Sequence, residues 1–412
     1  MRAVTLVAIA SFFVAGAARA DDEEVSALPP ATTEAAKTEP VRFTFRDAPG
    51  WKDLAKVGVS GYILPQFELV SLRSALPRDK TQYGAKGTRA GFAIYGSPWK
   101  DFTYIAHLVV APAGVENVAL LSPSAAPSIG FTLSTATGTT IDFEEVSLGY
   151  KPASWVQVKA GFVRLPFSLG QTTPIPEQMF PFRAPVTGEI QSGADASVLS
   201  TFRFFDARLV LNAAAFLGAS LGGATSSNQT VRGPAFLASV AAQPLGAMST
   251  HEGDEGRGPF RFAFGIGTIY RRATAFDPTG YEASHFDDIR LAAWARAAVH
   301  GFYAQAEYLR RNRTDDVSGR PNRSDGFYGE ASYYVPLKTT ALGPLLRAGQ
   351  IQTSADFSPR RYRSFEAGVA FYPHARTREP EGLRIIVEYY LAETSPLDET
   401  QHEGLVQLQL EF

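Results

Sequence analysis

The chain closes on Leu405-Val406-Gln407-Leu408-Gln409-Leu410-Glu411-Phe412. Val406, Leu408, Leu410 and Phe412 share one parity, and Gln407, Gln409 and Glu411 share the other. A strict period of two makes one apolar and one polar face only when the backbone is an extended strand. One such strand does not choose between a soluble sandwich, with its polar face in water, and a barrel that is apolar outside and polar within. The number and spacing of its counterparts upstream do.

Moving outward, Phe327, Ala331, Tyr333 and Val335 oppose Tyr328, Glu330, Ser332 and Tyr334. Phe302, Ala304, Ala306 and Tyr308 oppose Tyr303, Gln305, Glu307 and Arg311, and Phe260, Phe262, Phe264 and Ile266 oppose Arg261, Ala263, Gly265 and Gly267. Sixteen segments of this kind lie near 56–70, 86–98, 101–111, 139–151, 154–164, 195–206, 207–218, 232–244, 258–271, 286–300, 301–312, 325–337, 341–352, 362–374, 382–393 and 403–412. Most have the length of a tilted membrane strand, about 9–11 residues, or slightly more. The connections alternate in length. Odd-numbered ones span 71–85, 112–138, 165–194, 219–231, 272–285, 313–324, 353–361 and 394–402, whereas most even-numbered ones are tight turns such as Lys151-Pro152-Ala153 and His300-Gly301. Long connections outside and short ones inside are the asymmetry of a bacterial barrel with both termini in the periplasm. Two short-side connections, 245–257 and 375–381, break the rule, and the first reads as a periplasmic excursion. The expected fold is all-β: a transmembrane antiparallel β-barrel of about sixteen strands, with fourteen and eighteen as the neighbouring counts.

Composition agrees. Cysteine is absent, which removes disulfides, thiolate metal sites and cysteine nucleophiles. Arg2, the uncharged run Ala3 to Ala17 and Ala18-Arg19-Ala20 form a secretory signal, so residues 1–20 are expected to be removed near Ala20. Losing Arg2 and Arg19 moves the formal charge from −2 to about −4, without the basic excess that nucleic-acid binding requires. Residues 21–50, acidic and rich in Ala, Thr and Pro, read as a periplasmic leader, and 51–412 as the barrel domain. Aromatic residues cluster beside turns (Tyr95, Trp99, Phe102 and Tyr104; Tyr150 and Trp155; Phe302 and Tyr303; Tyr389 and Tyr390), as interfacial girdles require. The expected location is the outer membrane, with its lipids as the first partner. The C-terminal strand ending at Phe412 is the segment expected to meet the barrel-assembly machinery.

Small barrels fill with their own side chains, whereas about sixteen strands leave an aqueous channel for small hydrophilic solutes or anions. The segment suited to narrow it is 165–194, where Pro166, Pro174, Pro176, Pro181 and Pro185 stiffen the backbone and forbid a ladder position. Phe167, Ile175, Met179, Phe180 and Phe182 supply apolar anchors, and Arg183 a charge. An inward-folded third extracellular loop is therefore expected, with a plain surface loop as the competing reading.

Val158-Lys159-Ala160-Gly161-Phe162-Val163-Arg164-Leu165-Pro166-Phe167-Ser168 resembles the strand, Gly-aromatic, Pro-Phe-Ser element of the phosphate-selective porin O/P family. Glu145-Val146-Ser147-Leu148-Gly149-Tyr150 is similar to that family's preceding strand, and Trp99-Lys100-Asp101-Phe102-Thr103-Tyr104 to its second-hairpin turn. These matches cover about residues 89–205. The resemblance implies a homotrimeric sixteen-stranded porin with an inward third loop and anion binding.

Alternation places Arg89, Lys159, Arg208, Arg261, Arg290, Arg296, Arg347 and Arg384 inward, together with Glu307, Glu330, Glu366, Glu388 and Glu411. Bases predominate through Arg296 and acids gather in the last strands, a mixed lumen that predicts weak selectivity with an anion bias, where a dedicated anion path would carry one sign. Lys159, Arg164 and Arg183 form a local anion site in one reading. In the other they are taken up in salt bridges to Glu177 or Glu189.

Enzymes are the second class considered. His107, His251, His285, His300, His374 and His402 stand singly, without metal-ligand spacing, so neither a metal nor another cofactor is implied. A barrel lipid hydrolase would have to pair His107 with a serine across strands. A long-chain-hydrocarbon transporter is the third class, but it would need an N-terminal plug, for which residues 21–55 are short and too polar. A structural or adhesion barrel is the fourth, and it would not conduct.

Overall fold

The computed structural model describes residues 56–73, 80–99, 101–112, 139–190, 193–218, 230–276, 282–315, 321–355, 358–373, 383–395 and 399–411. The expected signal peptide, the leader and the terminal Phe412 lie outside these residues. Sixteen strands follow in chain order. They are β1 (Lys56–Arg73), β2 (Lys80–Trp99), β3 (Phe102–Pro112), β4 (Thr139–Ala153), β5 (Val156–Arg164), β6 (Ala194–Phe204), β7 (Leu209–Phe216), β8 (Thr230–Arg232 and Ala235–Ala242), β9 (Arg261–Phe276), β10 (Glu282–Val299), β11 (Phe302–Asp315), β12 (Pro321–Tyr333 and Val335–Pro336), β13 (Ala341–Ala355), β14 (Ser358–Tyr372), β15 (Leu383–Ser395) and β16 (Glu399–Glu411). Strand β8 is interrupted at Gly233-Pro234, where proline has no N–H for the ladder.

Each strand pairs antiparallel with its chain neighbours, and β1 pairs with β16 from Tyr62 opposite Glu411 to Arg73 opposite Thr400. The sheet is therefore a closed barrel, which removes the edges that no lipid could satisfy. Across the seam the Gln66 amide donates to Gln407 Oε1 at 2.5 Å. At the short-turn rim, His300 and Gly301 both take positive φ (49° and 97°), the geometry of a two-residue hairpin turn. Neighbouring turns there are laced by backbone bonds, such as Tyr334 N–H to Gly301 O at 2.7 Å.

Facing follows the period. On β16 Gln401, Glu403, Leu405, Gln407 and Gln409 are buried, while Val406 and Leu410 are exposed. The exposed parity elsewhere carries Phe67, Leu148, Val198, Phe236, Ile266, Phe327, Leu346 and Val387, an apolar outer surface for which hydrocarbon is the fitting solvent. No helix among the described residues is long and apolar enough to cross a membrane. The two largest apolar clusters lie inside the barrel, between its wall and residues 165–190: Phe167, Val186 and Ile190 pack with Leu237, Ile269, Leu309 and Ile351, and Met179 and Phe180 with Tyr303, Leu345 and Ile386.

One expectation is corrected here. Arg208 is not on an inward strand face; it sits exposed in the turn before β7, because Phe205, Asp206 and Ala207 all take positive φ and end the alternation.

Candidate functional site

The proline-rich segment leaves β5 through Leu165 and Phe167, both fully buried. The Ser168 hydroxyl caps a one-turn helix, α1 (Leu169–Thr172), by accepting the Gln171 N–H at 3.2 Å. The first two amides of α1, Leu169 and Gly170, donate to the Glu307 carboxylate of β11 at 2.8 and 3.2 Å, and the Tyr328 hydroxyl donates to it at 3.1 Å. A carboxylate facing orphan helix amides is the favourable pairing of charge and backbone dipole.

Beyond α1 the prolines leave carbonyls without ladder partners, and wall side chains meet them. Pro176 O accepts from Gln409 Nε2 at 2.6 Å, Gln178 O from Arg384 at 2.6 Å and Phe182 O from Arg347 at 2.8 Å. The Arg347 guanidinium also lies 4.3 Å from the centre of the Phe180 ring. Pro185 opens the second helix, α2 (Pro185–Ile190), whose last carbonyl accepts from Arg290 at 2.9 Å. Pro181 is buried, and Pro166 and Pro174 are half-buried. Three of the arginines assigned inward from sequence thus bind this segment's backbone.

Four of the five acids assigned inward lie on the same wall, and the fifth, Glu411, ends β16 and accepts from Gln409. Glu307, Glu330, Glu366 and Glu388 are all buried, and Arg347 pairs with Glu330 at 3.6 Å and with Glu366. Arg290 pairs with Asp288 at 3.0 Å, and Arg311 binds the same carboxylate at 3.0 Å. Asp288, Glu330 and Glu366 thus have guanidinium partners in this low-dielectric wall, whereas one carboxylate oxygen of buried Glu388 has no hydrogen-bond partner.

A second segment, 243–260, reaches the same place from the short-turn rim. Glu252 and Asp254 are buried. Glu252 N–H donates to Glu177 O at 2.9 Å, and its carboxylate accepts the Met179 N–H at 2.8 Å and the Gln305 amide at 3.0 Å. Ser249 O accepts from Arg296 at 2.7 Å, Asp254 pairs with Arg261, and Met248 joins Met179 and Phe180 in one cluster. Arg261 and Arg296, expected in the lumen, are therefore held by this segment.

The opposite wall differs. A bulge between His107 and Leu108 leaves Glu144 as an extra residue between Phe143 and Glu145. Glu144 pairs with Arg164 and lies 3.1 Å from His107 Nδ1, while Glu145 takes Lys159 at 2.8 Å. Arg183 hydrogen-bonds the carbonyls of Gly170 at 2.8 Å and Thr173 at 3.4 Å. Burial, then the nearby Arg164 and Arg89, lower its pKa to about 10, so it stays charged at neutral pH. Arg89 is half-buried on the inward parity of β2. Lys159 and Arg164 thus find Glu145 and Glu144, not the Glu177 or Glu189 considered from sequence. Glu189 itself is raised, chiefly by burial.

Glu144, Glu145 and Glu252 were missed by pattern reading. The doublet Glu144-Glu145 interrupts the period of two inside a strand, and that interruption is a legible sign of a bulge. Glu252 sits in a segment with no periodicity, so no local signal marks it.

Gly267 tests how closely the proline-rich segment lies on the wall. A Cβ at Gly267 would stand 2.5 Å from Phe167 O, inside contact distance with backbone. Gly267→Val is expected to form the barrel, seen as boiling-sensitive gel mobility, but to lift the segment and speed tryptic cleavage at Arg183 severalfold. Unchanged cleavage would place the segment elsewhere.

A closed sixteen-stranded barrel with an apolar exterior, a polar interior and an interior segment from its third long connection defines an outer-membrane porin that serves as a diffusion channel. The model of the family "Phosphate-selective porin O and P" matches residues 130–412. The chain belongs to this family. No curated protein matches it. Among solved structures it is similar to the outer membrane channel DcaP of Acinetobacter baumannii, at 14% identity and TM-score 0.58, over 88% of this chain and 98% of that one. The anion-selective porin of Comamonas acidovorans aligns at 12% identity and TM-score 0.56, over 87% of this chain and 100% of that one. The trimer form of OmpT, an outer membrane protein of Vibrio cholerae, aligns at 10% identity and TM-score 0.52, over 87% and 100%. At these identities the likeness is one of fold.

Proposed function

We propose that this porin is a general pore with a modest preference for anions, narrowed by residues 165–190 from one end and 243–260 from the other. The observation that carries the reading is the meeting of the two segments at Glu252, whose backbone and carboxylate bind Glu177 and Met179. Both segments cover the wall that bears Glu307, Glu330, Glu366 and Glu388, which takes those acids out of the solute path. The water-filled passage then runs along β1 to β5, past Arg89, Lys159, Arg164 and Arg183. Glu144 and Glu145 offset part of that charge, which keeps the preference weak.

The exported chain is expected to start near Asp21, to assemble through its C-terminal strand and to function as a homotrimer, an arrangement supported by the trimeric relative. It is a channel and not a hydrolase in this reading.

Reconstitution into a planar bilayer tests this. Stepwise conductance with sublevels in threes, and a salt-gradient reversal potential displaced slightly towards that of the anion, are expected. A barrel that inserts without conducting overturns the reading, and strong block of chloride current by micromolar phosphate replaces it with a dedicated anion site.

A further inference from the structure

On the outward parity of β11 to β15, charge is confined to one edge. Arg310 and Arg323 lie within six residues of connection 316–320, and Arg361 and Arg363 within six of 356–357, with Asp325 and Glu393 as the carboxylates of the same edge. Register makes them one patch: Arg310 is opposite Asp325, Asp325 opposite Gln352, Gln352 opposite Arg361, and Arg363 opposite Glu393. Asp325 pairs with Arg323 at 2.9 Å, so four guanidinium groups stand over two carboxylates. Two residues deeper, the same faces turn apolar with Tyr308, Phe327 and Phe365, all exposed. The other edge of these five strands has no charged residue on this parity; it presents Phe302, Tyr333, Leu342, Phe371 and Ile385.

The barrel therefore offers its two headgroup layers different chemistry, aromatic at the short-turn end and basic at the long-connection end. Aromatic rings suit any interface, but arginines placed at the top of an apolar band suit phosphate, because basic groups are drawn to an anionic lipid surface. Arginine also matches phosphate oxygens with two N–H groups at once.

We propose that Arg310, Arg323, Arg361 and Arg363 bind the phosphate-bearing headgroup of an outer-leaflet lipid, whose acyl chains run down over Tyr308, Phe327 and Phe365. The proposal rests on the membrane-spanning reading of the barrel, with the long connections outside.

The test compares the full-length protein with the variant R310Q/R323Q/R361Q/R363Q, each extracted in mild detergent, for bound organic phosphate and for binding of lipid A, phosphatidylethanolamine and inorganic phosphate. Boiling-sensitive mobility and single-channel conductance, both expected unchanged, report on the barrel itself. At least a threefold loss of retained phosphate and of lipid A binding is expected, with wild-type binding not displaced by inorganic phosphate. Equal lipid A binding by both proteins overturns the proposal, as does displacement by inorganic phosphate. A variant that loses its oligomeric state while keeping its lipid also overturns it, by showing that another copy covers this face.

Discussion

Excising Gly170–Ala184 and joining the ends with a short glycine linker is expected to raise single-channel conductance about twofold or more, and to admit larger solutes in liposome swelling. Conductance is set by the narrowest section, and this stretch carries most of the contacts that hold the segment across the interior. Its loss frees the Glu307 carboxylate from the Gly170 amide, and Arg347 and Arg384 from the carbonyls of Phe182 and Gln178. Those groups become solvated in a water-filled lumen, so the penalty of unmet buried polarity is not incurred. The ladder from β1 to β16 contains none of the excised residues, so boiling-sensitive mobility should persist. A deletion that folds and conducts like wild type would mean that residues 243–260 alone set the constriction. Glu252→Ala separates the two contributions: it removes the acceptor for Met179 and Gln305 without shortening either segment, and should increase open-channel noise more than mean conductance.

Strand number and facing were legible because every barrel strand must solve the same problem, apolar side to lipid and polar side to water, and a period of two is the one solution. Strand ends were not. Pairing continues to Arg73, Phe276, Asp315 and Ala355, several residues past the apolar alternation, because backbone hydrogen bonds outlast the membrane. The stiffness of 165–194 was visible in its prolines, but its partners were not: Glu307, Arg347, Arg384 and Gln409 come from strands more than 130 residues later. Segment 243–260 was marked only by its length. Its inward path depends on Glu252 and Asp254 finding Gln305 and the Gly301 N–H, a long-range match with no local pattern. The charge balance misled for a related reason. Counting signs along the chain treats every inward residue as solvent-lining, whereas burial removes the acids of β11 to β15 from that set.

Selectivity is where that difference has its largest effect. In the triple variant R89Q/R164Q/R183Q, the chloride-to-potassium permeability ratio is expected to fall about threefold or more, from slightly above unity to below it. Arg183 projects from the narrowing segment with its N–H groups on Gly170 and Thr173 carbonyls, and Arg164 and Arg89 are near enough to depress its proton affinity. Fixed charges act most strongly where the passage is narrow and salt screens least, so these three outweigh arginines already paired beneath the segments. Removing Arg164 also leaves Glu144 with His107 as its remaining side-chain contact, which adds negative potential in the same sense. Lys159→Gln alone is the internal control. Its charge is offset by Glu145 at 2.8 Å, so it should shift the reversal potential far less than Arg183→Gln, which removes a guanidinium held by backbone carbonyls. If all four substitutions leave the reversal potential of a tenfold salt gradient where it was, the passage does not run along β1 to β5, and the covered acidic wall is the one that solutes meet.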